Sequence, residues 1–127
     1  MPILQIVLTA GERAVPVLAV VDSGAARSMF PLRVAQNLGV SLEQDAIGAR
    51  GVEGAGFSTW SAREAIIGQV VRIDPASQQA SLWGKAFPMT PAFCEKDPFL
   101  LGRQDFFAAF PVQFMPGNPH PAFVIEC

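Results

Sequence analysis

Ala14-Val15-Pro16-Val17-Leu18-Ala19-Val20-Val21 runs without a polar side chain into Asp22-Ser23-Gly24-Ala25, and the reading of this junction decides the fold. A Val-rich run stopped by Asp-Ser-Gly reads as a core strand ending in a tight turn, because Gly tolerates backbone angles closed to other residues. The junction therefore sets one carboxylate at the tip of a buried strand. Burying a carboxylate is costly unless it is hydrogen-bonded, paired or able to take up a proton, so the position is either structural or chemically active. Asp-Ser-Gly is also ordinary turn chemistry, and alone it carries little.

Two segments downstream add to it. Phe99-Leu100-Leu101-Gly102-Arg103-Gln104-Asp105-Phe106-Phe107 is a second apolar strand closed by Gly and leading into a helix. Between the two lies the Gly-rich stretch Gly51-Val52-Glu53-Gly54-Ala55-Gly56, placed where a mobile hairpin tip would be. As a phosphate cradle this stretch fails: its Gly-x-x-Gly-x-Gly spacing lacks the following helix of a dinucleotide site, and Glu53 would repel phosphate.

The rest of the chain is strand-rich. Ile3 to Leu8 and Ala14 to Val21 flank a hairpin turn at Thr9–Arg13, and Ile66 to Ile73 and Ser81 to Phe87 flank a turn at Asp74–Ser77. Trp60 to Arg63, Phe99 to Leu101, Val112 to Met115 and Ala122 to Glu126 supply further strands. Pro31 suits a first helical position and Gly39 a helix stop, with Leu32, Ala35 and Leu38 on one face. A second short helix is expected over Gln104 to Phe110, ended by Pro111. No repeat, low-complexity segment or linker interrupts residues 1–127, which are expected to form a single domain.

Composition narrows the function classes. A net charge of −2 offers neither a basic surface for nucleic acid nor a polybasic membrane anchor. The apolar runs are too short to span a bilayer and the N-terminus lacks the pattern of a signal peptide, so a soluble, cytoplasmic protein is expected. Cys94, in an expected loop, and Cys127 are too few for a disulfide framework and read as free thiols. With the lone His120 they do not make a zinc site, so no metal and no cofactor is expected. His120 also lacks a Gly-x-Ser-x-Gly elbow, which argues against a serine or cysteine hydrolase.

The ordered set of Asp22-Ser23-Gly24-Ala25, the Gly-rich stretch 51–56 and Leu100-Leu101-Gly102-Arg103 resembles the retroviral-type aspartic proteases, or retropepsins, including their single-domain bacterial relatives. The last segment looks like the Ile-Ile/Leu-Gly-Arg signature of that family, and the resemblance covers most of the chain. It implies an all-β fold: a closed acid-protease β-barrel with one or two short helices, one lobe per chain, in which Asp22 and the Leu100-Leu101 strand approach one another. It also implies peptide-bond hydrolysis by two carboxylates that share a proton across a water. The chain holds no second copy of the Asp-Ser/Thr-Gly motif, so the partner carboxylate is expected from Asp22 of another chain in a C2 homodimer acting on a peptide or protein substrate. The competing reading is a catalytically inactive retropepsin-like module for dimerisation or peptide binding.

By the same resemblance Asp22 is the acid/base, Ser23 hydrogen-bonds across the twofold axis, and Gly24 and Ala25 let the substrate backbone approach. Gly51, Val52, Glu53, Gly54, Ala55 and Gly56 form the flap, and Val20 and Leu100 line apolar pockets. Gly102 and Arg103 are structural. The chain departs from the retroviral pattern at two places. Ala26 stands where those enzymes have the acid that pairs with the Gly-Arg arginine, which leaves Arg103 needing another partner, an intermolecular carboxylate or a backbone carbonyl. Arg27 brings positive charge to a substrate pocket, implying a preference for acidic or polar side chains at one subsite.

Overall fold

The computed structural model describes residues 3–45, 58–107, 112–115 and 122–125. Over these residues the chain is mostly β with two short helices. β1 (Ile3–Ala10) and β2 (Arg13–Val21) pair antiparallel from Ala10↔Arg13 to Ile3↔Val20, so the turn is only the two residues Gly11-Glu12. Gly11 sits at φ 59, the positive angle a two-residue hairpin turn requires. β6 (Ile66–Ile73) pairs with β1 on one side and with β7 (Ala80–Met89) on the other, making a four-strand block of two local hairpins joined by the long-range pairing of β1 with β6.

The other half of the sheet is assembled from very short strands: β3 (Met29–Pro31), β4 (Leu42–Gln44), β5 (Thr59–Ala62), β8 (Ala92–Cys94) and β9 (Leu100–Leu101). The nine strands lie in the order β4-β5-β8-β3-β9-β2-β1-β6-β7. Two consecutive strands, β2 and β3, therefore do not touch. β9 is threaded between them, parallel to β2 through Val20↔Leu100 and Val21↔Leu101 and antiparallel to β3 at Met29↔Leu100. Among the described residues the sheet does not close into a barrel: it ends at β4 on one side and β7 on the other. β10 (Val112–Met115) and β11 (Ala122–Ile125) pair with each other in a separate two-stranded sheet.

Helix α1 (Leu32–Leu38) follows β3 at once, with Pro31 as its extended N-cap and Gly39 at φ 70 as its C-cap. It buries Val34, Ala35 and Leu38, while Leu32 packs at the margin of the core. The second helix is a single π-helical turn, Arg103–Phe107. Of the expected helix to Phe110, residues 108–110 lie outside the described residues.

Period-two alternation places Ile6, Leu8 and Ala10 of β1 and Val17, Ala19 and Val21 of β2 on one buried face. Ile66, Val70, Phe87, Met89, Phe30, Phe93, Leu101 and Phe106 complete this core. β3 and β8 are buried at all three positions each, which puts Cys94 in a core strand and not in a loop. Phe30 lies at the centre, edge-on to Phe99 at 6.2 Å and tilted against Phe93 at 6.4 Å. Phe30→Ala is expected to lower stability by about 3–5 kcal/mol. Chemical denaturation measures it, and a loss under about 1 kcal/mol would mean that β3 does not occupy the middle of the core.

Candidate active site

Asp22 is the first residue past β2, and the backbone on both sides of it is fixed by β9. Val20 N donates to Phe99 O at 2.8 Å, and Asp22 N donates to Leu101 O at 3.0 Å. The chain then turns, with Ala25 N donating to Asp22 O at 3.2 Å and Gly24 N to the Asp22 carboxylate Oδ1 at 2.9 Å. This is the Asx turn that Asp followed by Gly favours. Asp22 is half-buried, Ser23 and Gly24 are exposed, and Ala25 is buried beneath them. Among the described residues the only hydrogen bond to the Asp22 carboxylate is the one from Gly24.

The loop that follows is docked edge to edge against the end of β9. Arg103 N donates to Ala25 O and Gln104 N to Ala26 O, both at 3.0 Å. The approach is so close that a Cβ on Gly102 would lie 2.5 Å from the Arg27 carbonyl carbon and 2.9 Å from Ala25 O. Only glycine fits there. The Arg103 side chain is exposed and donates from Nη1 to Ser23 O at 2.7 Å, so its partner is a backbone carbonyl of the Asp22 turn itself.

Arg27, expected to bring positive charge to a substrate pocket, is held by several groups of the chain. Its guanidinium donates to Asp45 Oδ2 at 3.2 Å, to Ser61 Oγ at 3.1 Å and to the carbonyls of Thr90 and Pro91. It is only 23% exposed and Asp45 only 21%, so the charge is spent inside the protein. Arg27 forms one wall of a cavity of about 510 Å³ with Ser61, Ile66, Ile67, Pro88 and Met89. Val20 and Leu100 lie elsewhere, side by side in register and both half-buried.

Asp45 also accepts from Thr59 Oγ1 at 2.7 Å and Ser61 Oγ at 2.6 Å, tying β4 to β5. Burial pushes its carboxyl up, but the Ser61 and Thr59 hydroxyls and the Arg27 charge outweigh that and hold it below the ordinary 3.8. The expected flap residues Gly51, Val52, Glu53, Gly54, Ala55 and Gly56 lie outside the described residues. Beneath the loop, Ser28 Oγ donates to Asp105 Oδ1 and accepts from Gly102 N at 3.0 Å, while Asp105 Oδ2 accepts from Thr90 N at 3.3 Å. Sequence reading singled out neither Ser28 nor Asp45. The one available signal was Asp105, an acid directly before the apolar run Phe106-Phe107-Ala108-Ala109-Phe110.

Among the described residues no group of acidic, His and Cys side chains is arranged to hold a metal ion, and no helix is long and apolar enough to cross a membrane. No protein-family model matches the chain, and no curated protein matches it.

A carboxylate whose folded-state value is depressed adds stability above its unfolded value, and that contribution is lost as pH falls through the folded value. Wild type is therefore expected to be more stable than Asp45→Asn at neutral pH, with the difference shrinking below about pH 4. Denaturant titrations from about pH 7 to about pH 3 check this. A difference that stays constant across the range would mean that Asp45 is not the charged partner of Arg27.

Proposed function

We propose that the chain is one half of a homodimeric aspartic endopeptidase of the retropepsin type, with Asp22 as its share of the catalytic pair. The observation that carries this reading is the placement of Asp22 at the tip of a buried strand, its carboxylate held by one N–H of its own turn. Its backbone is clamped on the far side by β9. A fixed carboxylate whose remaining acceptor sites are unoccupied among the described residues suits general acid/base work on a water.

The other aspartates support the need for a second copy. Asp45 is bound to Arg27, Asp97 to Arg33, Asp74 to Ala76 N in its own turn, and Asp105 to Ser28 and Thr90. These four and Asp22 are all the aspartates of the chain, so none is left to pair with Asp22 within it. A C2 dimer supplies the partner by bringing residues on the axis against their own copies, with Ser23 and Gly24 exposed beside it. The structural side of the proposal is an acid-protease barrel with one lobe per chain, for which the threading of β9 beside β2 is the supporting feature. Peptide or protein is the substrate, and Val20 and Leu100, adjacent on the Asp22 side of the sheet, would contact its apolar side chains.

Asp22→Asn is expected to leave the fold intact and to lower peptide cleavage by about 100-fold or more, since it is nearly isosteric but removes the proton-sharing carboxylate. Mixing wild type with excess Asp22→Asn chains is expected to suppress activity through inactive heterodimers. Two like charges a few Å apart do not ionise together easily, so cleavage should peak on the acid side of neutrality and fade as the shared proton leaves. Circular dichroism, a peptide-cleavage assay and subunit mixing measure these effects. Cleavage by Asp22→Asn at the wild-type rate overturns the assignment, and a folded, dimeric wild type without cleavage on any peptide of a diverse library leaves the binding-module reading.

A further inference from the structure

Asp105 is a carboxylate buried at 4% exposure, and nothing in the proposed reaction uses it. It accepts three hydrogen bonds, from Ser28 Oγ, from Thr90 N and, at 2.9 Å, from Phe106 N. Among the described residues no ion pair offsets its burial: Arg103 donates to Ser23 O and Arg27 to Asp45. Such a group is expensive to keep, so its geometry must be determined by its surroundings and must in turn determine theirs.

The bonds run in one direction. Gly102 N donates to Ser28 Oγ, which donates to Asp105, so the Ser28 hydroxyl is held between the end of β9 and the π-helical turn. Ser28 closes the loop that begins at Asp22, and its own carbonyl accepts from Ala92 N at 2.9 Å. The π-helical turn itself presents Arg103 and Gln104 to solvent and buries Asp105 and Phe106. A widened turn of this kind is a rare backbone form that re-aims a side chain. Here it turns the carboxylate under the Asp22 loop.

We infer that Asp105 is a positioning residue, which through the Ser28 hydroxyl and the Gly102 amide fixes where the 22–28 loop sits against β9 and so where the Asp22 carboxylate points. The inference rests on the aspartic-peptidase reading for its functional meaning, while its structural content stands on its own. Asparagine at 105 has an NH2 in place of one carboxylate oxygen, which would meet either the Thr90 N–H or the Phe106 N–H and the Ser28 hydroxyl, so the three present bonds cannot all be kept. Ser28→Ala leaves the buried Gly102 N–H without its acceptor.

The test follows the Asp22 side-chain carboxyl carbon and the Gly24 amide by NMR in the full-length chain, in Asp105→Asn, in Ser28→Ala, in the double variant and in Val70→Ala. Val70 is a buried position on β6, paired with Ile6 of β1 and Trp83 of β7, whose truncation destabilises the core. Both signals are expected to move in the first two variants, to move no further in the double variant, and to stay in place in Val70→Ala. With cleavage measured alongside, kcat should fall about tenfold or more while KM stays within about twofold. Should Asp105→Asn fail to fold, Ser28→Ala gives the same readout with the carboxylate's other two donors retained. Unmoved Asp22 and Gly24 signals in a folded Ser28→Ala or Asp105→Asn protein overturn the inference. A wild type that cleaves nothing defeats the peptidase reading alone, because the NMR shifts still decide the positioning role.

Discussion

The contact on which the rest depends is the insertion of β9 between β2 and β3. Two residues, Leu100 and Leu101, join halves of a sheet that would otherwise share no hydrogen bond. Such a crossing has a high cost in loop closure, since β2 and β9 are nearly 80 residues apart in sequence and little is gained until they meet. The compensation is dense local bonding: Val20, Asp22, Arg103 and Gln104 each donate a backbone N–H across the junction. Gly102 allows the two segments to close to a distance that any side chain would prevent.

That constraint explains why the Asp22 turn is bonded at so many points. Arg103 holds Ser23 from outside, Ser28 and Asp105 hold the loop from below, and Arg27 ties it to Asp45, Ser61 and the 90–91 carbonyls. Among the described residues no buried side-chain donor or acceptor is left over. A loop fixed at three separate places has little freedom to relax around Asp22, which is the condition for a carboxylate to be presented in one orientation.

What could be read from the sequence was what is local. β1, β2, β6 and β7 are long enough to show period-two alternation and are linked by turns whose residues announce them. β3, β4 and β8 are three residues long, too short to show a period, and Met29-Phe30-Pro31 and Ala92-Phe93-Cys94 are buried on both faces. Their pairing is long-range, so Cys94 reads as a loop cysteine until β3 is placed beside it. Barrel closure was expected from a resemblance and not from any pattern in the edge strands, and β4 with three residues offers β7 with ten little to pair with. In the site, the Asx turn of Asp22 was legible because it involves neighbours, whereas the partners of Arg27 and Asp105 lie 18 and 77 residues away.

The two arginines near Asp22 show why charge could not be read from sequence position. Both stand within a few residues of the motif or of its partner strand, and a linear reading assigns them to substrate or to an acid. Among the described residues Arg103 bonds a neutral carbonyl, while Arg27 is matched by Asp45. An opposite charge at hydrogen-bond distance favours the ionised carboxylate, and neither arginine donates to the Asp22 carboxylate. In the proposed dimer, the charge that meets this carboxylate is a second Asp22 on the open side of the turn. A second carboxylate arriving there would push one of the two toward its neutral form, and a general acid beside a general base requires that division. The economy of such a site lies in the commitment of both arginines elsewhere, since a guanidinium held against Asp22 would keep both carboxylates ionised and oppose proton sharing.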